Sequence, residues 1–180
     1  MTNQTKKTKL SEKEKQRLHA ESKFRNDLKR DFDNFDSIYE TNKKELTKRW
    51  GFEPKEGDLL WGTAQRLLMD AMKKGDWGSM FSIYFGQALY IHNSGKNSQK
   101  YQQIIYDLEL QNKKDGLINK VQISSVKGQS CSACNKLDGK VFTVEEALKM
   151  HPLPNKKCSF KFNSNAPTGW CRCAYLPVVN

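Results

Sequence analysis

Val121-Gln-Ile-Ser-Ser-Val-Lys-Gly-Gln-Ser-Cys131-Ser-Ala-Cys134-Asn-Lys-Leu-Asp-Gly139-Lys-Val-Phe142 is the stretch that decides the fold. Its first residues have the period of a short strand, with Val121, Ile123 and Ser125 alternating with Gln122, Ser124 and Val126. The strand runs directly into two cysteines three positions apart. Asp138-Gly139 then turns the chain into a second short strand at Val141-Phe142, a hairpin-like signal. Upstream of Val121 the apolar period is helical. The fold class is therefore α+β, with a helical N-terminal region followed by a small module of short strands.

All five cysteines lie in the last third of the chain. Cys131 and Cys134 are answered by Cys171-Arg172-Cys173, with Cys158 between the two sets. Closely spaced pairs of this kind suit a tetrahedral zinc ion, whose thiolates converge at about 2.3 Å from the metal. Sixty residues of short strands bury too little surface to hold themselves together, and a structural metal supplies the missing constraint. The expectation is one structural Zn2+ per chain on the metal-ligand candidates Cys131, Cys134, Cys158, Cys171 and Cys173.

Other chemistries for these thiols stand beside zinc. A disulfide framework sits badly with an odd cysteine count and with no apolar signal segment after Met1. A redox CxxC would open a helix within a βαβ unit, whereas here Asn135 to Gly139 reads as a turn. A catalytic zinc keeps an open position and a carboxylate base; neither H-x-E before P-C-x-x-C nor H-E-x-x-H is present, and five cysteines suffice to close the shell. His151 is either an alternative ligand or a contact at a helix C-terminus. His19 and His92 read as ordinary surface or boundary residues, and no residue is assigned a catalytic role.

Working outward towards the N-terminus, four helical stretches precede the module. Ser11-Glu-Lys-Glu14 is a capping box, followed by an apolar stripe from Leu18 through Phe24, Leu28, Phe32, Phe35, Ile38, Tyr39 and Leu46 to Trp50, broken near Asp36 or Thr41 and closed by Gly51 and Pro54. That stripe is also a candidate surface for a protein partner. Asp58 opens a second helix ended by Gly75, Asp76 to His92 forms a third, and Ser98 to about Lys114 a fourth with Tyr101, Ile104, Ile105 and Leu108 facing inward. Within the module, Thr143-Val-Glu-Glu146 caps a short helix over 145–150, and Ala174 to Val178 is the last strand.

The 180 residues suit one ordinary domain plus a small module: a disordered basic arm (1–10), a helical region (11–118) and the metal module (119–180). No run is long and apolar enough for a membrane span. The net charge of +11 is concentrated in residues 1–50 and 119–180. Such ends are attracted to nucleic acid, or simply keep the protein soluble. Lys156-Lys157 with Phe160-Lys161-Phe162 interleaves charge and aromatics as a nucleic-acid surface does; packing of the two Phe residues on the knuckle is the plainer reading.

The order Cys131-Ser-Ala-Cys134, Leu137-Asp-Gly139-Lys-Val-Phe142, a Pro-containing segment, Cys171-Arg-Cys173 and a closing strand resembles the C-terminal module of phage minor head proteins of the Mu F-like type. The resemblance covers about 121–178. It implies Cys131, Cys134 and Cys171 as ligands. That family's histidine before C-R-C is missing, with Thr168-Gly-Trp170 in its place, so Cys158 stands as the substitute and Cys173 as the spare. Arg172 is left to hydrogen-bond either the thiolates or a partner. The implied function is a phage or prophage structural or assembly protein, cytoplasmic or virion-associated, acting through a phage or host protein or through packaged DNA. A zinc-dependent nucleic-acid-binding regulator, and a toxin or nuclease of phage–host conflict, are the alternatives.

Overall fold

The computed structural model describes residues 10–126 and 128–178, so the proposed basic arm lies, but for Leu10, outside the described residues. Five long helices come first: α1 (Glu12–Asp31), α2 (Phe35–Trp50), α3 (Glu56–Lys74), α4 (Trp77–Asn93) and α5 (Gln99–Asp115). The module follows as β1 (Lys120–Ser124), the single turn α6 (Ser132–Asn135), β2 (Val141–Thr143), α7 (Val144–Met150) and β3 (Ala174–Pro177). The chain is α+β with a helical N-terminal region, as its periodicity requires.

The caps and glycine stops act where the sequence places them, while one break and one helix start are shifted. Both capping boxes form, Ser11 with Glu14 and Thr143 with Glu146. Gly51 and Gly75 end α2 and α3 in the left-handed conformation that glycine adopts without a Cβ penalty. The apolar stripe breaks at Phe32 to Asn34, ahead of the expected Asp36 or Thr41, because Phe32 leaves helical geometry and caps α1. Lys55 rather than Asp58 opens α3. Beyond α5 the left-handed residue is the exposed Leu117, not the adjacent Gly116.

α1 to α4 close over one core. Phe24 and Leu28 of α1, Phe35 and Tyr39 of α2, Leu60, Leu67 and Leu68 of α3, and Ile83 of α4 are among its buried members. The stripe offered above as a partner surface is thus mostly spent inside the protein, with Leu18 and Trp50 exposed near its ends. α2 approaches α3 closely at Gly62, where Asn42 is buried and donates to the Leu59 carbonyl at 3.2 Å.

β1 is the centre of a three-stranded antiparallel sheet, ordered β2-β1-β3. Val121 lies opposite Phe142, and Ile123 opposite Tyr175. One face of the sheet is buried with Leu153, Val144 and Ala147, and α5 supplies Tyr106 and Leu110 to the same cluster. The buried face of α5 is Gln102, Ile105, Tyr106 and Leu110, rotated from the expected Tyr101, Ile104, Ile105 and Leu108. Periodicity scored by hydrophobicity passes over Gln102, whose polar partners are Ser98 at the start of α5 and the Gly169 and Cys171 backbone of the module.

A Cβ at Gly62 would stand 2.6 Å from the Asn42 amide nitrogen, so Gly62→Ala must displace a buried hydrogen-bonded side chain. The expected loss in chemical denaturation is about 1–3 kcal/mol, with the helical content of the folded state unchanged.

Candidate metal centre

Two simple geometries bring the thiols together. Cys131 is the N-cap of the single turn α6 and Cys134 lies within it, where residues three apart share a face. Cys171, Cys173 and Tyr175 lie on extended chain, where alternate residues share a face, and all three are buried while Arg172 and Ala174 are not. The strap therefore delivers both of its cysteines to one side. Cys158 comes from the loop after α7.

Its placement depends on Gly169. A Cβ at that position would fall 1.9 Å from the Cys158 carbonyl oxygen, so the two backbones touch in a way only glycine allows. Trp170 N–H donates to the Phe160 carbonyl at 2.7 Å, and the Cys158 thiol reaches the Trp170 carbonyl at 3.4 Å. Loop and strap are paired by these contacts.

The five sulfurs form two overlapping triads, Cys131/Cys134/Cys158 and Cys134/Cys171/Cys173, each with its sulfur atoms within 4.8 Å of one another. Cys134 belongs to both. All five are free thiols, and four of them are buried. The Cys134 and Cys171 sulfurs are 4.0 Å apart, close to the roughly 3.8 Å edge of a tetrahedron with 2.3 Å metal–sulfur bonds and far beyond disulfide length. The cluster can hold a metal ion.

Backbone amides aim at the sulfurs. Burial alone would raise the Cys131 thiol, but the Ser159 and Cys134 amides overcome it and hold that thiol at about 6. Donation from the Cys158 thiol, then from Cys173, holds Cys171 down at about 2, helped by the Asn155 amide. Cys158 and Cys173 are pushed up, first because each donates its S–H in a hydrogen bond to Cys171 and then by burial. Burial, followed by the charge of Cys171, lifts Cys134 to about 11. The cluster thus gathers negative charge and protons in one small volume, and a divalent cation there would take the place of the protons.

The remaining candidates fall elsewhere. His151 is the left-handed C-cap of α7, with Nδ1 2.8 Å from the Gln103 amide and 3.1 Å from Asp107, outside both triads. Arg172, half-buried, spans two loops: its guanidinium lies 3.7 Å from the Phe160 ring centroid and donates to the Gln129 carbonyl, tying the loop before Cys131 to the loop after Cys158. Phe160 and Phe162 meet edge to face at 5.1 Å, and Phe162 packs on Trp170.

The sequence reading missed the polar side chains that dock this strap on the helices. Gln102, 2% exposed, accepts from the Cys171 amide at 3.0 Å and donates to the Gly169 carbonyl at 3.1 Å. The Tyr106 hydroxyl lies 2.7 Å from the Cys173 carbonyl and 3.1 Å from that of Cys171. His92, expected at the surface or boundary, is 0% exposed. Its Nε2 accepts from Phe162 N–H at 3.2 Å, so the ring proton sits on Nδ1, facing Ser98. Only the match of three polar residues to an irregular backbone fixes these contacts, and no local pattern encodes it.

No protein-family model matches the chain, and neither a curated protein nor a solved structure matches it.

Gly169→Ala should cost about 3 kcal/mol and separate Cys158 from the strap; loss of hydrogen-exchange protection over 155–173 is the readout. His92 titrates below its usual range, chiefly through burial and then through Lys161. The unfolded residue takes up its proton near about pH 6.5. Its contribution to stability is therefore complete above that pH and is lost as the pH falls below it, because the unfolded state then binds the extra proton. Melting temperatures of the parent protein and His92→Gln should show the difference between the two shrinking between pH 7 and pH 5.

Proposed function

We propose that the chain is a zinc-stapled structural or assembly protein of the phage minor head type, acting through protein contacts. The observation that carries this reading is the composition of the cluster. It holds cysteine alone, largely buried, with amides directed at its sulfurs, and among the described residues no histidine or carboxylate joins either triad. Four thiolates closing a tetrahedron is the ligand set of a structural zinc site, which adds its binding free energy to folding. Where the resemblance would place a histidine before Cys171, this chain presses Gly169 onto Cys158, and Cys158 is the natural replacement. The favoured ligands are Cys131, Cys134, Cys158 and Cys171, the last being the thiol on which Cys158 and Cys173 both converge. Cys173 is then the spare.

Beside the strap runs an apolar groove of about 520 Å3, with Phe81, Phe85, Ile105, Phe162 and Trp170 among its walls. Phe81 and Phe85 are partly exposed there, a surface suited to an apolar segment of another head protein. A second reading, contact with packaged nucleic acid, draws on exposed Lys156, Lys157 and Lys161 beside Phe162, which is 54% exposed.

Metal analysis of freshly purified protein should find one zinc per chain. Cys134→Ser should abolish binding and Cys173→Ser retain it; absence of bound metal ends the proposal for the cofactor. Head-fraction association in an induced lysate of the producing strain, lost in Cys134→Ser, tests the assembly role. For the second reading, affinity for single-stranded DNA should fall steeply with salt and fall further in the Lys156→Ala, Lys157→Ala double variant. Indifference to both leaves the charge as a solubility feature.

A further inference from the structure

A cavity of about 500 Å3 opens between α1, the first turn of α3, the end of α4 and the start of α5, and contains none of the cysteines. Its size lies within the roughly 300–1,000 Å3 of small-molecule sites. Glu21 lines it. That side chain is 5% exposed, and the attractive charge that acts on it is Arg17, which lines the same cavity. A carboxylate that lines a cavity offers two acceptor oxygens to a ligand that carries donors.

The space in front of Glu21 exists because residue 57 is glycine. A Cβ there would stand 2.8 Å from the Tyr90 hydroxyl and 3.1 Å from Glu21 Oε1. Glycine is a poor helix former, and in the first turn of α3 its missing side chain keeps the carboxylate reachable. The walls are aromatic. Trp61 and Tyr101 meet edge to face at 5.4 Å, and Tyr90 lies 6.4 Å from Trp61, all three only partly buried. Three exposed cations, Arg17, Lys55 and Lys96, line the same cavity against one exposed acid, Asp58. α3 begins at Lys55 with no side chain capping its first amides, which favours an anion at that end.

We propose that this cavity binds a guanine nucleotide, free or within a nucleic-acid single strand, with the base edge on the Glu21 carboxylate and the phosphate on Arg17, Lys55 and Lys96. The buried acceptor, the aromatic walls and the cationic mouth call for three different ligand chemistries, and a nucleotide joins all three. Guanine is singled out because its N1–H and N2–H groups are adjacent donors that match the two oxygens of one carboxylate. Adenine and cytosine set an acceptor beside their amino group, which would face a carboxylate oxygen. Stacking on aromatic rings is indifferent to the base and supplies the common part of the affinity. This site is independent of the metal module and of the assembly reading.

Calorimetric titration of the full chain with the four ribonucleoside monophosphates tests the assignment. Guanosine monophosphate should bind roughly tenfold or more tighter than the adenine and cytosine nucleotides, the discrimination expected of a good bidentate contact. Glu21→Gln should erase that preference. Lys55→Ala with Lys96→Ala should weaken the nucleotide while leaving guanosine unchanged. Gly57→Ala, which fills the space with the charge intact, should block both, with circular dichroism confirming the fold of each variant. A guanine-containing oligonucleotide serves as the second arm: binding of the oligonucleotide without the mononucleotide makes a strand the source, and equal binding makes the free nucleotide sufficient. Absence of binding to both at millimolar concentration, or a guanine preference that survives Glu21→Gln, overturns the proposal.

Discussion

Three chain segments must meet at one point for the C-terminal module to exist, and the contact between Gly169 and Cys158 is where two of them touch. The Cys131–Cys134 turn follows β1 after a short loop, and Cys171 and Cys173 run directly into β3, so antiparallel pairing of these strands already brings both pairs to the same end of the sheet. Cys158 has no such guide. It sits in a loop with no strand of its own, held by the bare backbone of Gly169 and the hydrogen bond between Trp170 and Phe160. The cluster reaches five sulfurs only if that loop stays in place.

α5 couples this module to the helices. Gln102 and Tyr106 read the backbone of the strap at Gly169, Cys171 and Cys173, while Tyr106 and Leu110 complete the apolar core beneath the sheet. His92, Ser98 and Gln102 form a buried polar row that ends on Phe162 and the strap. Such a row is stabilising only while every member finds its partner. Withdrawing the strap would leave Gln102, Tyr106 and His92 as buried polar groups in an apolar surrounding, which ties the order of the module to that of α5.

The helical region divides its residues between packing and recognition in a similar way. Phe24 stacks on Tyr90 at 5.1 Å inside the bundle, and the far side of Tyr90 belongs to the cavity that Gly57 keeps open. Small residues at Gly57, Gly62 and Gly169 each allow a close approach that a methyl group would end. Two of those approaches join segments distant in sequence. The third leaves space in front of a buried acid.

What the sequence determined by itself is local. The change from helical to alternating period at Val121, both capping boxes, the Gly51 and Gly75 stops and the cysteine spacing are each written in a few consecutive residues, and each appears in the fold. Hydrophobicity alone misplaced the inward face of α5, left His92 as a boundary residue and offered the Leu18-to-Trp50 stripe as a docking surface, because burial of these groups is settled by partners far along the chain. The role of Arg172 was undecidable for the same reason: its partners, Phe160 and Gln129, come from two loops that only the folded sheet brings together. The sequence named the thiols; tertiary packing decided that all five meet, since a loop without periodicity reaches its place only when another backbone has room for it.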